Sequence, residues 1–306
     1  MLDYRQLKAL SSVIEEQSFE KAALRLNITQ SAVSQRIKQL EELIGQALLI
    51  RSQPILPTPA GKILLKHFRQ VDLLQNEVIQ SLSSTEQSGH TVLSIGINAD
   101  SLATWFLPAI EPLLKQHKIL IDLKIDDQDQ TQKFLKNGEV MGCITSSSTP
   151  LQGCHCIPLG VSVYRCVASL EYIERHFPDG PSATAFRYAP VVEFNHKDAL
   201  QQRYLKQFFK VNSGTYPSHR VPSSEAFMDL IIRGLATGMV PDQQVRPFLE
   251  SGHVTEILPN SYLSVPLYWH VWNLKAPLAQ ELTQTLTQHA AIALEDFDAH
   301  PTLTIP

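Results

Sequence analysis

No run of apolar residues in the 306-residue chain approaches the roughly 18 needed to cross a bilayer as a helix. The opening stretch MLDYRQLKAL also lacks the make-up of a secretory signal, because Asp3, Arg5, Gln6 and Lys8 interrupt each short hydrophobic run. A cytoplasmic location is therefore expected. Charged residues make up only 18%, below the roughly 25% of an average globular chain, which excludes disorder through charge excess. Enzyme motifs are missing as well. No G-x-S-x-G, G-x-G-x-x-G, P-loop or H-E-x-x-H string occurs, so the chain is not expected to be an enzyme.

Cysteine is scarce: Cys143, Cys154, Cys156 and Cys166 are the four in the chain. Structural zinc favours C-x₂₋₄-C pairs, whereas Cys154-His155-Cys156 is too tight and no second pair answers it, so no metal site is expected. Cys143 and Cys166 lie in strand-like patterns, where a free cysteine acts as a small buried hydrophobe; a redox switch is the alternative. Positive charge is short too. The net charge of -4 lacks the basic footprint of a nucleic-acid-binding protein.

That average conceals an asymmetry. Residues 1–82 carry 10 Lys+Arg against 8 Asp+Glu, and residues 21–40 carry Lys21, Arg25, Arg36 and Lys38 with no acidic residue. Three short helices are predicted there from apolar spacings of three and four: Tyr4, Leu7, Leu10, Ile14; Phe19, Ala22, Ala23, Leu26; and Val33, Ile37, Leu40, Ile44. Ser18 and Thr29 are the expected N-caps, and Gly45 the stop. A tight helix–turn–helix places its second helix in the major groove. With Val33, Ile37 and Leu40 turned inward, Gln30, Ser31, Ser34, Gln35, Arg36 and Lys38 remain outside, a set suited to base edges and phosphates. An ordinary solvated helix face is the alternative, although such a face mixes charge signs.

A longer helix is expected over residues 59–82, where Leu64, Phe68, Val71, Gln75, Val78 and Leu82 form a heptad-like seam. The small head is expected to be too slight to cover it, which favours dimerisation through this seam over packing on its own domain. Two recognition helices would then read a roughly palindromic operator. Residues 83–90, SSTEQSGH, read as a hinge.

From residue 91 onward strand and helix patterns alternate, which predicts an α/β body of two lobes with a mainly parallel sheet and a ligand cleft between them. At Asn98-Ala99-Asp100-Ser101 a strand yields to a helix. The helix start and Ser101 suit a carboxylate, and Asp100 suits an ammonium or guanidinium, as in a receptor for an amino acid. Asp100 or Ser101 as a plain helix cap is the competing reading. Asp126-Asp127-Asp129 reads as a solvated loop, and Tyr268-Trp269-His270 as core.

The run FEKAALRLNITQSAVSQRIKQLEELIGQALLIR, followed by PTPAGKILL, resembles the N-terminal signature of LysR-type transcriptional regulators. The resemblance implies an all-α winged helix-turn-helix head over 1–58, a linker and dimerisation helix over 59–82, and an effector-binding domain over 91–306 that resembles periplasmic solute-binding proteins. Lobe 1 would comprise about 91–160 and 268–306, and lobe 2 about 161–267. Ser18, Lys21 and the wing residue Arg51 join the candidate DNA contacts. The strings NADSLATWFLP, VPSSEAFMDLI and LYWH resemble a branch that senses lysine and arginine. By position in that branch, the cleft candidates are Asn98, Asp100, Ser101, Thr145, Ser146, Asn195, Ser224 and Glu225, with Glu225 as a helix-start carboxylate the alternative.

The implied protein is a nucleoid-associated homodimer or homotetramer that binds double-stranded DNA, with L-lysine or L-arginine as effector and no cofactor. Its genes would serve basic-amino-acid export or metabolism, and RNA polymerase is the further partner such a regulator meets. The alternatives are a redox-responsive member of the family, and an amino-acid-binding protein or enzyme with no role on DNA.

Overall fold

Short polar caps set the boundaries of the first three helices. Asp3, Ser18 and Thr29 each accept a backbone N–H at the starts of α1 (Tyr4–Glu16), α2 (Phe19–Leu26) and α3 (Gln30–Ile44). Asn27 and Gly45 then end α2 and α3 in the left-handed conformation. These elements belong to a computed structural model that describes residues 1–82, 90–127, 130–274 and 276–299. The expected hinge falls almost wholly outside them, as do Asp129 and the side chain of Leu82.

The head closes on its own core, in which Leu7, Leu10, Val13, Ala22, Val33, Ile37 and Leu40 are buried. It is not all-α. β1 (Leu49–Ile50) and β2 (Leu56–Pro57) pair antiparallel as a small wing.

α4 (Pro59–Leu82) departs from its expected role at two seam positions. Leu64 and Phe68 are buried in the head core, and the Phe68 ring lies 5.1 Å from that of Tyr4. They therefore cannot face a second chain. Val71 is half-buried, while Gln75 and Val78 are exposed. Farther along, Leu73 joins the core of the body, and the Arg69 guanidinium donates to the Gly138 carbonyl. The helix is thus covered on two sides by its own chain, and its exposed large apolar residues, among the described side chains, are Ile63, Leu74, Val78 and Ile79.

The body contains β3 (Thr91–Ile97), β4 (Ile119–Ile125), β5 (Gly142–Thr145), β6 (Cys154–Ala168), β7 (Val191–Glu193), β8 (Ser218–Arg220), β9 (Gly238–Pro241), β10 (Thr255–Glu256) and β11 (Tyr262–Trp272). Its helices are α5 (Ala99–Ser101), α6 (Leu107–Gln116), α7 (Gln132–Lys136), α8 (Leu170–His176), α9 (Leu200–Tyr204), α10 (Ser224–Ile232), α11 (Asp242–Glu250) and α12 (Pro277–Ala293). A π-helical turn, Leu102–Phe106, joins α5 to α6.

The main sheet is mixed rather than mainly parallel. β4, β3 and β5 run parallel, whereas β11 is antiparallel to both β5 and β6, and β9 and β10 are antiparallel to β6. The reason is that the long β6 pairs antiparallel with β11 from Trp272 back to Tyr262. These two strands carry the chain between the lobes, and their register shifts at Leu267/Tyr268, beside Gly160. Gly160 has φ +145°, and a Cβ there would lie 2.7 Å from Leu294 and 3.0 Å from the Glu295 carbonyl oxygen. Only glycine lets the final segment approach so closely.

Candidate functional site

Two surfaces collect candidate functional side chains. On the head, the inward stripe of α3 leaves Gln30, Ser31, Gln35 and Lys38 exposed and Ser34 and Arg36 half-buried on the remaining faces. Thr29 Oγ1 caps Ala32 N at 3.2 Å and lies 2.9 Å from Ser31 Oγ, which fixes the first turn of the helix. Ser18 Oγ accepts from Lys21 N at 3.3 Å, so this hydroxyl serves as the N-cap of α2. Arg51, on the wing, rests its guanidinium over the Phe19 ring at 5.6 Å. Such stacking leaves the N–H edge of a guanidinium available to an acceptor.

In the body, the parallel register Ile97↔Ile125 places the residues after β3 and β4 side by side. Ligands in open α/β sheets bind beyond such carboxyl ends. A cleft with about 480 Å3 of empty space opens there, and Asn98, Asp100, Asp126 and Asp127 line it from one lobe. Phe194, Asp198, Ser224, Phe227 and Gln244 face them from the other.

Asn98 is 2% exposed and stands at the N-cap position, yet it makes no capping bond. Neither its amide nitrogen nor its amide oxygen has a hydrogen-bond partner. Leaving a buried amide unpaired costs about 1–3 kcal/mol, so such a group calls for a bound partner or another explanation. Asp100 is held at both oxygens: Tyr164 Oη donates to Oδ2 at 2.8 Å and Ser224 Oγ to Oδ1 at 2.9 Å. Burial pushes its pKa up, these two hydrogen bonds pull it down, and the Asp198 charge adds to the rise.

Of the residues named from sequence, Asn98, Asp100 and Ser224 meet in this cleft. Ser101 is buried but does not line it. Thr145 accepts from Ser147 N at 3.3 Å away from the cleft lining, and Ser146 does not line the cleft either. Asn195 Oδ1 accepts from Lys197 N at 2.7 Å within its own loop. Glu225 is exposed and accepts from Ser223 Oγ at 3.0 Å, as a carboxylate in the first turn of its helix.

Asp126 and Asp127, expected in a solvated loop, line the cleft instead, and Asp127 is only 8% exposed. Their position directly after the second strand of a parallel pair was the signal that could have revealed them. Phe194, Asp198 and Gln244 carried no comparable sequence signal. Trp269 and His270 are core residues.

A family model described as the bacterial regulatory helix-turn-helix protein, lysR family, matches residues 4–62, and one described as the LysR substrate binding domain matches residues 86–302. The chain belongs to the LysR family. Among LysR-family relatives, the HTH-type transcriptional regulator ArgP of Aeromonas salmonicida is 42% identical over 294 residues, covering 96% of this chain and 98% of its own. The crystal structure of ArgP from Mycobacterium tuberculosis superposes with a TM-score of 0.85 at 36% identity, covering 97% of this chain and 100% of that one. Full-length LysG from Corynebacterium glutamicum, solved with bound effector Arg, gives a TM-score of 0.77 at 34% identity, with 96% and 100% covered. These LysR-family relatives are transcriptional regulators, and this chain shares their head and two-lobed body. No helix among the described residues is long and apolar enough to cross a membrane.

Proposed function

We propose that this LysR-family regulator senses a basic amino acid, L-lysine or L-arginine, in its cleft and reads its operator as a dimer, or a tetramer built from dimers. The observation that carries the effector reading is the unpartnered Asn98 amide in one cleft with Asp100, Asp126, Asp127 and Asp198. An amide with a spare donor and acceptor suits an α-carboxylate and α-ammonium, and a wall of aspartates suits a side-chain cation. The Arg-bound LysG structure supports the same class of ligand.

On DNA, Gln30, Ser34, Gln35 and Arg36 would reach base edges, while Ser18, Lys21, Ser31, Lys38 and Arg51 would hold phosphates. Effector binding biases the angle between the lobes, and it shifts that equilibrium only by its differential affinity for the two arrangements. The protein would work in the cytoplasm without a cofactor, on genes for basic-amino-acid export or metabolism, with RNA polymerase as a downstream partner.

Calorimetry of the full-length protein with L-lysine, L-arginine and L-norleucine tests the effector reading. Binding of a basic amino acid but not of norleucine supports it. Binding of none of the three, or of norleucine equally well, overturns it.

A further inference from the structure

Lys197 Nζ lies 3.2 Å and 3.1 Å from the two carboxylate oxygens of Asp126. Several ion pairs of the protein join residues four apart on one helix, such as Glu111–Lys115, Glu171–Arg175 and Asp229–Arg233. This one differs in joining residues 71 positions apart across the cleft. Asp126 follows β4 on one lobe and lines the cleft, whereas Lys197 belongs to the loop between β7 and α9 on the other.

The loop is stitched so as to present that ammonium. Asn195 Oδ1 accepts from Lys197 N at 2.7 Å, and the Asp198 carboxylate accepts from Phe194 N and Leu200 N, both at 2.9 Å. With its backbone held at both ends, the loop leaves only the Lys197 side chain to adjust. That side chain is 43% exposed and Asp126 23%, so the pair sits at the cleft mouth, within reach of water and of an incoming cation. Ion pairs of such exposure contribute little to stability, because solvent and salt screen them. Another cation can displace this one at small cost.

We propose that Lys197 is a resident competitor for the effector: its ammonium occupies the place on Asp126 that the side-chain cation of a basic amino acid takes on binding. Binding then exchanges one ion pair for another and frees the Lys197 loop from the opposite lobe. A neutral amino acid has no side-chain cation with which to make that exchange, so the pair also determines specificity. The inference rests on the cationic-effector reading above.

Calorimetry on the full-length protein with L-lysine and L-arginine distinguishes the outcomes. Lys197→Met and Lys197→Gln are expected to tighten binding roughly two- to fivefold, the range set by an exposed ion pair. Lys197→Arg, which keeps a competing cation, should leave affinity near that of the parent. Asp126→Asn should weaken binding, and adding Lys197→Met to it should no longer tighten it. If the parent binds lysine or arginine but neither Lys197→Met nor Lys197→Gln binds more tightly, this inference alone falls. If the parent binds neither, the effector reading falls and this inference with it.

Discussion

Ser224 Oγ donates to Asp100 Oδ1 at 2.9 Å, a hydrogen bond that joins the first turn of α10 to the turn after β3 across the cleft. Tyr164, on the crossing strand β6, holds the other carboxylate oxygen at 2.8 Å. Asp100 is thus oriented by the opposite lobe and by the connection between the lobes, so a change in lobe angle changes how this carboxylate is held. Pre-oriented groups of this kind raise affinity by removing part of the ordering cost of binding.

The raised pKa of Asp100 carries a sign for both stability and binding. A carboxyl group with a higher pKa folded than unfolded holds its proton more tightly in the native state. Its contribution to stability is full below the unfolded pKa and is lost as pH rises through the folded one. Asp100→Asn should therefore raise the thermal midpoint at neutral pH, by roughly 2–4 °C per kcal/mol recovered. It should also weaken binding of a cationic amino acid at least tenfold. In the parent, affinity should strengthen as pH rises through the elevated Asp100 pKa. Differential scanning calorimetry and titration calorimetry across a pH series check both signs.

Asn98 should separate stability from function in the same way. Replacing its unpartnered amide by Leu removes two unsatisfied polar atoms, so the unliganded protein should be no less stable, or more stable by up to about 1–3 kcal/mol. Effector binding should fall at least tenfold. Denaturant unfolding alongside calorimetry would show it, and a marked loss of stability would contradict the assignment of Asn98 as a group awaiting a ligand.

On the head, Arg36→Ala is expected to cost about 1–3 kcal/mol of operator affinity and to relax preference at one base pair. Lys38→Ala should instead weaken all sequences alike and reduce the salt slope by about one. Fluorescence anisotropy over a salt series distinguishes these outcomes, and effector affinity should stay unchanged in both variants.

The exposed apolar residues of α4 give the dimerisation test. Leu74→Glu combined with Val78→Glu should shift sedimentation towards the monomer and lower operator affinity. Phe68→Ala, by contrast, should destabilise the head by about 3–5 kcal/mol, because its ring is buried there rather than at an interface.

The cysteines bear on the redox alternative. Burial pushes the Cys143 and Cys166 thiols up to about 12, leaving almost no thiolate at neutral pH. Alkylation should therefore reach the partly exposed Cys154 and Cys156 first, and mild peroxide should leave operator binding unchanged. Mass spectrometry after timed alkylation, paired with anisotropy, would check this.

Local order was legible from sequence wherever it arises from neighbouring residues. Ser18, Thr29 and Gly45 bound the helices of the head, and the spacing of Val33, Ile37 and Leu40 selects the face of α3 that is buried. The turn Asn98–Ser101 announced a cleft because a strand end followed by a helix start is itself a local signal. Other features depended on contacts between distant segments. The heptad-like seam on α4 could not reveal that Leu64 and Phe68 belong to the head, since a period of three and four marks an apolar face but not what covers it. Asp126 and Asp127 looked solvated until the register of β3 and β4 brought them beside Asn98. The pairing of Lys197 with Asp126 spans 71 residues, and only the packing of the two lobes creates it. Caps and periodicity act within a turn or two of chain, so the sequence by itself determined the bounds of the head helices and the buried face of α3. Which carboxylates share a cleft is set by strand register and by the lobe crossing at Gly160, and only the tertiary structure decided that.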